Sequence, residues 1–160
     1  MAKAKFKSDR SKKPTEIDVQ PTTIGGFDKY EPKMEGRFIV YINDIPTYLI
    51  KAIDIPSYYY SWGCKRYNPL TVTLYDPIHP SAAKAVENKF KNGRKCDITI
   101  VVLGPVGDKV EEWQIKNAKL QAVTFSSYDW SGDNPSMVYL TFSVRDVTLM
   151  DKPTPPELVP

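Results

Sequence analysis

At 160 residues, with 22 basic and 19 acidic side chains and one histidine, the chain is long enough for one packed domain with tails. It holds no run of about eighteen apolar residues, and its basic N-terminus has no hydrophobic segment behind it, so neither a transmembrane span nor a secretory signal is expected. The net charge of +3 is unevenly spread: Lys3, Lys5, Lys7, Arg10, Lys12 and Lys13 against Asp9 give the first thirteen positions +5, and the remainder, with 16 basic and 18 acidic residues, carries −2. A dedicated nucleic-acid binder concentrates positive charge on its folded face, and this body has no such excess.

Residues 1–35 are poor in apolar side chains and contain Pro14, Pro21, Pro32 and Gly25-Gly26, the composition of an extended, partly disordered basic arm that would order only against a partner. A β domain is expected over 36–150. It opens with RFIVYI, where Phe38, Val40 and Ile42 share one side of a strand; after the turn Asn43-Asp44, Thr47–Ile53 reads as its hairpin partner. Asp54–Pro69 then concentrates Tyr58, Tyr59, Tyr60, Trp62 and Tyr67 in what reads as a surface loop, and exposed aromatic clusters mark interfaces. The competing reading is a long hairpin whose aromatics fold back on their own core.

Leu70, Val72 and Leu74 alternate with Thr71, Thr73 and Tyr75, the period of a half-buried strand, until Asp76-Pro77 removes a ladder donor. Helical spacing follows at Ala82, Val86 and Phe90, with Ser81 as N-cap and Asn92-Gly93 as the stop, giving one helix over about 81–92. Cys96–Leu103 is a β-branched strand, Val110–Ile115 pairs back through a Gly-Pro/Gly-Asp turn, and Ala118–Phe125 follows after a connection at Lys116-Asn117. A polar loop, SSYDWSGDNPS, leads to a last strand over Met137–Val147, with Val138, Leu140, Phe142 and Val144 inward. The ending, 151–160, is too rich in proline for helix or central strand and reads as a second arm. The expected fold class is mainly β (α+β), about seven antiparallel strands in two packed sheets or a distorted barrel, with one flanking helix.

Signals for catalysis are weak. His79 is the lone histidine and reads as a hydrogen-bonded turn residue; Cys64 and Cys96 have neither metal-ligand spacing nor a second histidine to activate them, and reduced thiols are expected, with a disulfide as the alternative. Glu111 and Glu112 are adjacent on a strand and face opposite ways, and Asp129, Asp133 and Asp146 lack the spacing of a calcium loop. No enzyme, cofactor or metal site is expected. The basic arm has one aromatic, Phe6, and so no stacking platform for single strands; the readings are a polyanion-binding arm, DNA included, and, favoured over it, a solvated tail that docks on the acidic body of a neighbouring copy or stays disordered.

From TVTLYDPIHPSAAKAV through DITIVVLGPVGDKVEEWQI, with RFIVYI and YLIKAIDIPSY before and WQIKNAKLQAVTFSSYDWSGDNPSMVYLTFSVRDVTL after, the chain resembles the tail tube proteins of contractile-tailed bacteriophages over roughly Gly36–Met150. The resemblance implies a self-assembling structural subunit: hexameric rings whose sheets join around a channel and stack into a tube inside a contractile sheath. Its partners would be further copies of itself, the sheath protein, baseplate and tail-terminator proteins, and double-stranded DNA passing through the lumen without specific binding. Its place would be the virion tail, assembled in the host cytoplasm. On this reading Tyr58, Tyr59, Tyr60, Trp62 and Tyr67 form the ring-to-ring contact, and the arm with Lys3 to Lys13 reaches neighbouring subunits. The alternatives are a tube-initiating or tube-capping baseplate relative, the tube component of a bacterial injection system, and a small nucleic-acid-binding β-barrel.

Overall fold

The computed structural model describes residues 32–151. The segments expected as arms, 1–35 with Lys3, Lys5, Lys7, Arg10, Lys12 and Lys13, and 151–160, lie outside the described residues except for 32–35 and Asp151. In chain order the elements are β1 (Phe38–Ile42), β2 (Ile50–Ile53), β3 (Tyr58–Ser61), β4 (Cys64–Tyr67), β5 (Leu70–Tyr75), α1 (Ala82–Phe90), β6 (Lys95–Leu103), β7 (Lys109–Phe125), β8 (Met137–Ser143) and β9 (Asp146–Asp151), with a 3-10 turn at Thr47–Leu49. Seven strands form one antiparallel sheet in the order β1-β6-β7-β8-β5-β2, with β9 also on β7; β3 and β4 make a second sheet of two strands. This is the expected mainly β architecture with one helix, in its two-sheet form. No barrel closes.

Alternation builds the core. Leu70, Val72 and Leu74 of β5 lie opposite Phe142, Leu140 and Val138 of β8, and all six are buried. Val40 and Ile42 of β1 oppose Ile100 and Ile98 of β6 in the same way. Fully burying one such side chain contributes about 1.5–3 kcal/mol. Helix α1 closes over this layer with Ala82 and Val86 buried and the Phe90 ring 6.0 Å from that of Phe142. Two of its first-turn donors are satisfied from outside: Lys84 N–H donates to the Ser81 hydroxyl and Ala82 N–H to Asp76 Oδ1 at 2.9 Å.

Three pairings differ from expectation. β1 and β2 are not a hairpin but the two outermost strands of the sheet, because Pro46 and the 3-10 turn at Thr47–Leu49 carry the chain out of the first ladder. The segments at Val110–Ile115 and Ala118–Phe125 are one strand, β7, continuous through Lys116-Asn117. There Asp97 opposes two residues, Asn117 takes φ 51°, and its N–H donates to Asp97 Oδ1 at 2.9 Å, which makes a bulge rather than a break. The expected last strand is divided at Val144-Arg145 into β8 and β9, which pair one after the other with β7: Lys119 faces Ser143 and Lys116 faces Asp146.

Glu111 and Glu112 face opposite ways as expected, Glu111 accepting from Trp113 Nε1 and pairing with Lys33, Glu112 accepting from Gln114 Nε2 and pairing with Lys109. His79 is exposed at the helix entrance, and its imidazole makes no hydrogen bond among the described residues, contrary to the bonded turn residue expected. Both cysteines are free thiols, Cys64 exposed and Cys96 buried. Desolvation pushes the Cys96 thiol from its ordinary 9.0 up to about 11, outweighing the pull of the Lys89 ammonium. At pH 8 a thiol reagent should therefore label one cysteine in the native chain and two in urea. The Cys96 contribution to stability is fully present below the unfolded value and lost as pH rises through about 11, so an alkaline unfolding scan should steepen there and a Cys96→Ala variant should lack that component.

Candidate assembly interface

The aromatic stretch is a hairpin standing apart from the main sheet. Tyr58 pairs with Tyr67, Tyr59 with Arg66, Tyr60 with Lys65 and Ser61 with Cys64, and the two strands bond only to each other. The chain turns at Trp62-Gly63, both at positive φ (52° and 73°), as a primed two-residue turn requires. Glycine adopts that conformation freely, whereas a tryptophan there costs about 1–3 kcal/mol. The bulky residue at the strained position is 98% exposed. Nothing within the described residues repays it.

The register sorts the hairpin into two faces. Tyr58, Tyr60, Lys65 and Tyr67 share one: the Tyr58 ring meets those of Tyr60 and Tyr67 edge-on at 6.0 Å, and the Lys65 ammonium sits 3.9 Å from the Tyr58 ring centre. A side-chain hydrogen bond with Tyr67 holds that ammonium above its ordinary pKa, against the desolvation that would lower it. Tyr59, Ser61, Cys64 and Arg66 share the other face. Of the five aromatics named from sequence, Tyr58, Tyr59, Tyr60 and Trp62 are exposed, and Tyr67 alone is half-buried against the core. The stretch is thus a hairpin rather than a loop, and only Tyr67 folds back. Its root is fixed by Asp54 N–H to Thr71 O (3.1 Å) and Asn68 N–H to Ser57 O (2.8 Å), beside the start of β5.

A second exposed aromatic segment was not legible as such. In the loop 126–136, read from sequence as merely polar, Trp130 and Tyr128 are 107% and 86% exposed. The Asp129 carboxylate accepts from the Ser131 N–H and hydroxyl, which hold its pKa below the ordinary value, and Gly132 N–H closes the turn onto Asp129 O. The two aromatics within a Ser/Asp/Gly/Asn/Pro run were the available signal. Tyr75 faces Met137 at this end of the sheet, whereas Leu70 faces Phe142 at the hairpin end. The hairpin and the loop 126–136 are therefore rooted at opposite ends of the β5–β8 pair.

The sheet also leaves edges. Strands β1, β2 and β9 each have one side unpaired among the described residues, with Tyr41, Leu149 and Met150 exposed along them. Such edges are a hazard in a monomer and a joining surface in an assembly. Among the described residues no three metal-ligating side chains cluster, and no helix is long and apolar enough to cross a membrane.

No family model and no curated protein sequence matches the chain. Solved structures do. A chain of the sheath-tube complex of an extracellular contractile injection system (PVC, extended state) aligns at 18% identity over 81% of this chain and 99% of its own, with a TM-score of 0.60. A chain of the tube-terminating cap of the anti-feeding prophage aligns at 18% identity over 76% and 92%, TM-score 0.57. Hcp1 from Flavobacterium johnsoniae aligns at 11% identity over 72% and 95%, TM-score 0.50. The chain has the contractile tail-tube fold. Within that fold, the hairpin β3–β4 and the loop 126–136 each present an almost fully exposed tryptophan, Trp62 and Trp130.

Proposed function

We propose that the chain is the tube subunit of a contractile tail of the bacteriophage type, forming hexameric rings that stack into the DNA conduit inside the sheath. The observation that carries this reading is the aromatic hairpin: a two-stranded sheet with a strained, exposed tryptophan at its tip, on a body that shares its fold with tube-complex chains over nearly their whole length. The role is structural rather than catalytic. Unpaired β1, β2 and β9 join neighbours within a ring, and Tyr58, Tyr59, Tyr60, Trp62 and Tyr67 make the contact between rings. The acidic balance of residues beyond the first thirteen suits a conduit, which must not grip phosphate. Residues 1–35 and 151–160 act as arms toward neighbouring subunits, with the sheath, baseplate and terminator proteins as further partners.

A second reading is a ring that starts or ends the tube, because the similar chains include those from a baseplate and a tube-terminating cap. Electron microscopy of the purified full chain separates the two: long hollow tubes for the main subunit, single rings for an initiator or cap. A chain that stays monomeric at high concentration would refute both. Salt-sensitive retention on DNA, lost when residues 1–13 are removed, would favour the nucleic-acid-binding alternative.

A further inference from the structure

The hairpin tip is fully exposed, and a depression lies at the other end of the β5–β8 pair. Beneath the loop 126–136 lies a depression of about 530 Å³, walled by Ser127, Asp129, Asn134, Pro135, Met137 and Tyr139. It is large enough for an aromatic side chain, which buries about 150–250 Å² on docking. The hairpin and this depression are rooted at opposite ends of the β5–β8 pair. They suit a head-to-tail contact, which repeats without closing.

Charge points the same way. The hairpin carries Lys65 and Arg66 and no acid, and the loop carries Asp129 and Asp133 and no base. Lys65 is engaged by Tyr58 and Tyr67, and Asp129 by Ser131. Arg66 and Asp133 are both exposed, and neither has a partner among the described residues. One cation and one anion are thus left over, on the hairpin that carries Trp62 and in the loop that carries Trp130. Lys51, on the rim of the depression, lies over the Tyr75 ring at 5.7 Å.

We propose that the β3–β4 hairpin of one copy seats Trp62 in the depression under loop 126–136 of a second copy, with Arg66 paired to the second copy's Asp133. This rests on the tube-subunit reading and names the partner surface of its hairpin. The Arg66 guanidinium can meet a carboxylate with two parallel N–H donors, which fixes the angle between copies as well as holding them.

Cys64 lies two residues from Trp62 and is exposed, which supplies the test. The full chain carrying Asn134→Cys is assembled and treated with a short bis-maleimide. The expected result is a ladder of covalent multimers on a denaturing gel, absent when Cys64→Ser is added. Separately, Asp133→Arg should raise the critical concentration for assembly about tenfold or more, and adding Arg66→Asp in the same chain should recover most of that loss. Tubes that form without a ladder, or a double reversal that assembles no better than Asp133→Arg alone, would overturn the docking while leaving the tube reading intact. Wild-type chain that never assembles overturns both.

Discussion

The triple substitution of Tyr58, Tyr59 and Trp62 by serine should leave a folded subunit that no longer stacks. These three side chains lie outside the buried core, whereas Tyr67, which packs against it, is kept. Removing Trp62 also relieves a bulky residue at φ 52°, so the monomer should melt at or near the wild-type temperature. Aromatic anchors at interfaces are worth about 2 kcal/mol or more each, roughly thirtyfold in affinity for a single loss, and losses at neighbouring anchors do not add simply. Tubes should therefore vanish at concentrations where wild-type chain fills the grid. Far-ultraviolet circular dichroism and a thermal melt report the fold; sedimentation and electron microscopy report the assembly. Normal tubes from this variant would remove the hairpin from the ring-to-ring contact.

The largest effect on the subunit itself is expected from Phe142→Ala. Phe142 is fully buried on β8, opposite Leu70 on one side and Leu120 on the other, with the Phe90 ring of α1 above it. The side chain therefore joins three strands and the helix. Truncating a buried phenylalanine costs about 3–5 kcal/mol through lost transfer energy and the cavity left behind. In urea the midpoint should move down by that amount divided by the slope, with the slope unchanged, because the same surface is exposed on unfolding. A shift below about 1 kcal/mol would mean that α1 collapses into the space and that the helix is only loosely held.

Local pattern was enough for some elements and not for others, and the division has a physical cause. The helix at Ala82–Phe90, with its Ser81 cap, and the alternating strands β5, β6 and β8 follow from side-chain spacing and turn residues within a few positions. Partner choice does not. That β1 pairs with β6 rather than with the strand after Asn43-Asp44 depends on residues some sixty positions away, and nothing in RFIVYI records it. Lys116-Asn117 looked like a connection because asparagine favours turns; the same tolerance of positive φ serves a bulge inside β7.

At the candidate interface, the aromatic excess at Tyr58–Tyr67 was visible in composition alone. Its hairpin shape stood only as the competing reading, because a turn on Trp-Gly breaks the usual Asn-Gly preference. Where local rules fail in this way the site is commonly functional. The loop 126–136 escaped notice because two aromatics among polar residues do not alter a polar average, and Asp133 and Arg66 appear complementary only once both ends of the sheet are in view.

A two-stranded ribbon bonded only to itself is marginal in water, and this has a kinetic consequence. In the proposed tube, a free subunit would order its ribbon at each encounter, so a collision between two lone subunits would gain little, while a completed ring would offer a whole circle of sockets at once. Spontaneous starts should accordingly be rare, and growth should show a lag that preformed ends abolish. Under the proposed tube role, that restraint on unprompted assembly resides in the ten residues Tyr58–Tyr67.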